Sequence, residues 1–196
     1  MIKLDSFSSF NITHDDLKKK YQYINRSKFI ADKQQTIDET LYLKSISLKP
    51  KTHKVSESNI NRAVQLCSKT NQFNLRTIRH DHINLNKILQ LNNEFCFLTS
   101  LEDKYGQHGH VGLTCLTEID SEFVFLDTFL LSCRILGRHL EAWMLKQVIL
   151  KSFKYGYKYI IGEYLETSKN NIAKDFLIAH GFTKLEDQIN LSSKMK

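Results

Sequence analysis

The chain has 196 residues, 41% hydrophobic and 25% charged, with one proline and seven glycines. That is enough for one domain and a small appendage held by an apolar core, and it excludes a disordered chain, a collagen and a loop-rich secreted scaffold. The net charge of +7 is uneven, because residues 1–55 carry 11 basic and 6 acidic side chains; nucleic acid, an acidic protein, an anionic cofactor or a plain solvated face would each account for that excess.

Taken in order, the elements begin with Thr13-His14-Asp15-Asp16, a helix cap with acidic first-turn residues, followed by a helix over Leu17–Ala31. Thr36-Ile37-Asp38-Glu39 is a capping box before Leu41, Leu43 and Ile46. Pro50 stops helix and opens an extended link. Residues 1–55 thus read as a helical appendage or linker, and residues 56–196 as the main domain. Ser56–Ser58 offers a further cap, with Ile60, Ala63, Val64 and Cys67 at helical spacing after it. The amide-rich run Thr70-Asn71-Gln72-Phe73-Asn74 reads as a loop, and His82–Leu91 as a helix.

The pattern then changes. Phe95–Leu98 and Val111–Leu116 are strands around a turn at Asp103–Gly109, and Phe123–Leu126 and Phe129–Leu131 are two more apolar strand signals. Arg138–Tyr155 is a long amphipathic helix ended by Gly156. Tyr159–Ile161 is a buried strand, and a last helix runs from Ser168 through His180 to Gly181, with a strand after it. The order predicts an α+β fold with a strand–helix–strand crossover.

Cys67, Cys96, Cys115 and Cys133 form no C-x-x-C pair, so no metal site is expected, and their apolar neighbours suit reduced, buried thiols. No run approaches the length of a membrane span and no signal-type apolar segment opens the chain, so the expected location is cytoplasmic, with no membrane partner. No zinc-finger, helix-turn-helix or RNA-binding motif is present, so nucleic acid is not an expected partner.

Chemistry concentrates at Arg134-Ile135-Leu136-Gly137-Arg138, where an apolar strand meets the long helix. Free amides at a helix start, a glycine that admits close approach and two arginines suit the pyrophosphate of coenzyme A or the phosphate of a phosphopantetheine arm. An ordinary tight turn is the alternative. Asn170-Asn171-Ile172-Ala173, opening a helix that ends His180-Gly181-Phe182, adds a second feature. The Arg-x-x-Gly-x turn paired with Asn-x-Ala…Gly-Phe resembles the GNAT acyltransferase superfamily. Lys69-Thr70-Asn71-Gln72-Phe73-Asn74-Leu75, Ser132-Cys133-Arg134-Ile135-Leu136-Gly137-Arg138-His139 and Thr167-Ser168-Lys169-Asn170 resemble, more narrowly, the C-terminal GNAT-like part of FkbH-like proteins, over nearly the whole chain.

The resemblance implies a GNAT-like mixed central sheet flanked by helices, with an N-terminal helical appendage. It implies no tightly bound cofactor, but an acyl-CoA (acetyl-CoA among them) or phosphopantetheine thioester as co-substrate, held by the turn residues Arg134, Leu136, Gly137, Arg138 and His139 and by Asn171. Amides of a splayed strand at Leu131–Cys133 would polarise the thioester carbonyl. FkbH-like proteins load a glyceryl unit onto an acyl carrier protein for polyketide extender units, through a HAD-type domain whose Asp-x-Asp motif this chain lacks. An acyl carrier protein and a separate HAD-type protein are therefore the implied partners. His139 replaces the small residue usual in the turn, and it either crowds a pyrophosphate or contacts it when protonated. Leu177 stands where many GNAT enzymes carry a proton-donating tyrosine; Tyr157, Tyr159 and Tyr164 are the substitutes, with Tyr164 the catalytic candidate.

Other candidates keep two readings. Cys133 is a core thiol or an acyl-accepting nucleophile. Glu141 pairs with Arg134 or serves as a base. Asp103 shapes a turn or binds substrate. Asn71, Gln72 and Asn74 organise their loop or bind a substrate hydroxyl. The function read from the chain is a GNAT-type acyltransferase; the alternative is a non-catalytic docking module for a carrier or HAD-type protein.

Overall fold

The arrangement follows from one long apolar strand. In a computed structural model, which describes residues 14–36 and 38–185, Phe123–Leu131 forms a single strand, β5, where the sequence suggested two. Its near-continuous hydrophobic run suits burial on both faces, and Val124, Leu126, Phe129, Leu130 and Leu131 are all buried. β3 (Cys96–Asp103) and β4 (Gly106–Glu118) make a long hairpin beside it. The strands run further than their apolar cores suggested, so the turn contracts to Lys104-Tyr105. β1 (Lys49–Lys54) lies antiparallel on the outer edge of β3. The expected extended link at Pro50 is thus an edge strand, where proline's missing N–H costs no ladder bond.

The order is β1-β3-β4-β5, and two short strands share the far edge of β5. β6 (Tyr159–Gly162) pairs parallel with its first half, Phe123–Leu126. β2 (Phe73–Asn74), from the segment expected as a loop, pairs antiparallel with Leu130 and Leu131. Between β5 and β6 runs α5 (Leu140–Lys154), buried through Leu140, Met144, Leu145 and Val148. It lies so close to β4 that a Cβ at Gly112 would come within 2.7 Å of the Met144 thioether. α3 (Ile60–Lys69) and α4 (His82–Leu91) cover the opposite face over Leu98, Leu113 and Leu130.

The chain opens with α1 (His14–Gln34) and α2 (Glu39–Ser45). Thr13 and Ile37 lie outside the described residues. The cap of α2 is Asp38 rather than Thr36: its carboxylate accepts from the amides of Thr40 (2.8 Å) and Leu41 (3.1 Å). Phe29, Tyr42 and Ile46 form a small third core against Tyr105. The C-terminal helix is much shorter than expected, a 3-10 turn at Asn171–Ala173 and then α6 (Phe176–Ala179), because Asn170 and Tyr164 hold the chain in a loop before it. Residues 182–185 form no strand, and a strand beyond them would lie outside the described residues. Most of the four cysteines are expected as buried reduced thiols; Cys67 is a buried free thiol, Cys133 is exposed, and Cys96 and Cys115 face each other across β3 and β4 with their sulfurs joined. The α+β class, with a mixed sheet flanked by helices and helical N-terminal elements, is the one expected.

Phe129 ties β5 to β2 and α6, with its ring centroid 6.2 Å from Phe73 and 5.4 Å from Phe176. Phe129→Ala is expected to cost about 3–5 kcal/mol in urea denaturation, the range for a buried phenylalanine; a cost below about 1 kcal/mol would contradict this packing.

Candidate functional site

β5 ends at Leu131, and the chain passes through Ser132 and a 3-10 turn, Cys133–Ile135, into α5. Gly137 (φ +86) and His139 (φ +55) are both left-handed just before the helix. Glycine adopts that conformation freely, whereas a side chain holds it at a cost of about 1–3 kcal/mol.

The N-terminal helices cover this turn. Lys33 Nζ donates to the Gly137 carbonyl (3.2 Å), and a Cβ at 137 would lie 3.4 Å from that nitrogen and 3.6 Å from the Phe29 ring. Arg138 does not face outward. It is buried, its Nε donating to Asp103 Oδ2 (2.8 Å), with its guanidinium carbon 3.8 Å from the centroid of the Phe29 ring. His108 Nε2 lies 2.9 Å from the other Asp103 oxygen. Burial raises the Asp103 carboxyl, but hydrogen bonds from His108 and Arg138 outweigh it and hold the group below the usual carboxylate range. Asp103 is therefore the buried counter-ion of Arg138, not an exposed substrate ligand. His139 is exposed at the helix start, its Nε2 3.0 Å from Glu39 Oε1, and Lys33 reaches the same oxygen at 2.6 Å.

The gap where β6 leaves β5 is also filled. Leu75 N donates to Phe129 O (3.2 Å), and Leu165 N donates to Leu75 O (2.8 Å), so residues 73–75 sit between the diverging strands. Arg76 closes the gap: Nη1 donates to Asp127 Oδ1 and Nε to Glu163 Oε2, both at 2.7 Å. His80 Nε2 (2.9 Å) and Thr128 Oγ1 (2.8 Å) meet the second Asp127 oxygen. Burial raises the Asp127 carboxyl; the bonds from His80 and Thr128 and the nearby Arg76 charge outweigh it and lower it. The implied polarising amides are not free as a set, since Ser132 N donates to Val111 O at 2.7 Å.

What stays open is a groove of about 930 Å³ beside Ser132–Arg134, walled by α1 (22–26), by α3 with the segment after it (62–72), and by residues 168–169. Of the predicted residues it gathers Cys133, Arg134, Asn71 and Gln72. Arg134 Nη1 donates to Gln22 Oε1 (2.6 Å) and Nη2 to His108 O (2.9 Å), so its partner is not Glu141. Burial lowers the Arg134 guanidinium, and the adjacent Cys133 sulfur partly offsets that. Asn71 Oδ1 accepts from Arg79 Nη2.

The remaining candidates lie elsewhere. Asn74 is buried, with its amide donating to Thr70 O (3.2 Å) and accepting from Thr77 N (2.9 Å); it organises the loop instead of binding a hydroxyl. Leu131 is buried in the sheet, and Leu136 packs on the core. Glu141 sits in the first turn of α5, outside the groove, its Oε2 buried with no hydrogen-bond partner among the described residues. Tyr164 donates to Asn170 Oδ1 (3.1 Å), away from Cys133's groove. Asn171 is exposed, and its neighbour Asn170 does the structural work: fully buried, it donates to Asn74 O and Leu165 O (both 2.9 Å) and accepts from Thr167 N (2.8 Å). The sequence shows an Asn-Asn pair and offers no way to choose between its members. It also hides Arg62, whose Nε and Nη2 donate to His110 O (3.1 and 2.7 Å) and which, with Arg26, Lys69 and Lys169, lines the groove. Arg62 sits in an ordinary amphipathic helix whose spacing points only to a core face.

No family model matches the chain, and no curated protein does. Solved structures do. Ard1 from Thermoplasma volcanium is 10% identical over 70% of this chain and 84% of its own, with a TM-score of 0.56. Rv2747 from Mycobacterium tuberculosis, in complex with CoA and NLQ, is 15% identical over 74% and 80%, also at 0.56. An acetyltransferase from Streptococcus agalactiae is 15% identical over 73% and 88%, at 0.52. At such identities the likeness is one of fold alone: the mixed sheet and flanking helices of this chain share the architecture of these solved structures.

The Asp127 cluster sets a pH dependence. A carboxyl lowered in the folded state stabilises fully above its unfolded value of about 3.9, and loses that contribution as pH falls through the folded value. Asp127→Asn is expected to cost about 1–3 kcal/mol at pH 7, because it removes one of the two carboxylates that meet the half-buried Arg76, leaving Glu163, and weakens the bonds from His80 and Thr128. The difference from the parent protein should shrink as pH drops below about 4. Denaturant melts from pH 7 to pH 3 check this, and a pH-independent difference would refute it.

Proposed function

We propose that the chain is a GNAT-type acyltransferase that takes an acyl group from a pantetheine thioester, on coenzyme A or on an acyl carrier protein. One observation carries the reading: on a GNAT-type sheet, at the end of β5, a single groove joins the exposed Cys133 to five cationic side chains. That groove suits a long arm bearing a phosphate at one end and a thioester at the other. The CoA in the Mycobacterium tuberculosis structure of like fold supports the same ligand class.

Cys133 is the acyl acceptor in this proposal. Its thiolate, beside Arg134, attacks the thioester carbonyl. The bond from carbonyl carbon to pantetheine sulfur breaks, the sulfur leaves with the electron pair and takes up a proton, and the acyl group passes on to a final acceptor. Glu141 and Tyr164 have no direct part. The FkbH-like assignment, with a carrier protein, a separate HAD-type partner, a place in polyketide-type metabolism and a cytoplasmic setting, belongs to the same proposal. So does the division into an N-terminal segment, 1–55, and a GNAT-like domain, 56–196, with the former lending β1 to the sheet.

A second reading has its own support. The Gly137 turn lies under α1, the gap between β5 and β6 is filled by residues 73–75, and Leu177 provides no proton donor. A docking module without turnover would tolerate all three.

The two readings part in one experiment. On incubation with acetyl-CoA or an acetylated carrier protein, mass spectrometry should find one added acetyl group on the intact chain, absent from Cys133→Ser. Calorimetry should register acetyl-CoA binding. No adduct, no release of free pantetheine thiol and no heat at millimolar ligand would leave only the docking module.

A further inference from the structure

Arg62 and Arg134 come from different elements, α3 and the turn after β5, and meet on one strand. They grip carbonyls two residues apart on β4, His110 O and His108 O. Two residues along a strand span about 7 Å, so two guanidinium groups are held within mutual range. Their side-chain partners are the neutral amides of Gln65 and Gln22, and neither has a carboxylate partner among the described residues. Burial pushes the Arg62 guanidinium down to about 10, and the Arg134 charge adds to that push. Arg134 Nε is buried with no hydrogen-bond partner among the described residues. Arg26, Lys69 and Lys169 join them in the wall, and among the described residues no aspartate or glutamate lines it.

Cations gathered this way repel one another, and neutral carbonyls and amides replace only part of their lost hydration, so an anion among them is stabilised. Two other arginines show the contrast: the buried Arg138 has Asp103, and the half-buried Arg76 has Asp127 and Glu163. Among the described residues, Arg62 and Arg134 have no such partner.

We infer that Arg62 and Arg134 form a phosphate-binding site within the groove, completed at its rim by Lys69, and that the phosphate of the ligand's arm binds there rather than on the amides of the Gly137 turn. The turn is the less available place, with Phe29 and Lys33 lying against Gly137 and Arg138 turned inward to Asp103. The identity of the arm as phosphopantetheine rests on the acyl-transfer proposal above; the phosphate site itself rests on the side chains.

The test compares 4′-phosphopantetheine with pantetheine, which lacks only the phosphate, by calorimetry at low salt. The phosphorylated compound should bind at least about tenfold more tightly, and its Kd should rise with added salt. Arg62→Gln should erase the difference, Arg62→Lys should retain most of it, and Lys69→Gln, an exposed change that leaves the fold alone, should weaken binding about threefold. A thermal melt confirms that each variant is folded. Equal binding of the two compounds, or a folded Arg62→Gln that still prefers the phosphorylated one, overturns the inference even if acyl transfer proceeds. Preference that depends on Arg62, with no acyl transfer from either donor, upholds the phosphate site and removes the acyltransferase reading. Tighter binding of coenzyme A than of a pantetheine-loaded carrier protein names the free coenzyme as the source of the arm, and the reverse order names the carrier; either order sustains the site if Arg62→Gln abolishes it.

Discussion

A strand inside a folded protein must find partners for its backbone on both edges, since each unpaired buried amide or carbonyl costs about 1–3 kcal/mol. β5 meets that demand in two halves. β6 serves residues 123–126 and then diverges; residues 73–75 come from a distant part of the chain to serve 129–131. Much of the molecule depends on this splice. Arg76 bridges Asp127 and Glu163 because it follows the inserted segment, and Asn170 is fully buried because its amide ties that segment to Leu165. The position of Asn71 and Gln72 at the groove wall follows from the same insertion.

The other constraint is the buried charge of Arg138. A guanidinium with no exposed surface requires a counter-ion and further contacts, and the chain supplies Asp103, His108 and the face of Phe29. Phe29 draws α1 onto the strand–helix turn, and Tyr105 reinforces the contact through Asp32 (2.5 Å) and Tyr42 (2.6 Å). With α1 fixed there, its residues 22–26 become a wall of the groove, and the opening beside Cys133 acquires its cationic lining. The fold is shared with the solved structures of like architecture, while the groove itself is set by α1, by α3 and by the segment after it.

The sequence was legible where a pattern is local. The long helix after β5, the helix at His82–Leu91 and the apolar strands follow from periodicity alone, and the strand-to-helix turn follows from an apolar run ending at a glycine. It was less legible where a residue's role depends on what lies across from it. Pro50 read as a linker because an edge strand differs from a linker only in having a neighbour. Asp103 and Arg138 stand 35 residues apart, and nothing in either stretch announces a pair. Asn71 and Asn74 read alike in one amide-rich run, yet one lines the groove and the other is sealed beneath it.

What the sequence determined by itself is the inventory: an α+β chain with a glycine turn between an apolar strand and a long helix, and a basic excess toward its N-terminus. Tertiary structure decided which of these groups line the groove. Burial and pairing are properties of space rather than of order along the chain. They turned Arg138, Asp103 and Asn74 inward, away from the groove, and they put into its wall Arg62, whose place in an ordinary amphipathic helix gave no sign that a second arginine would stand beside it.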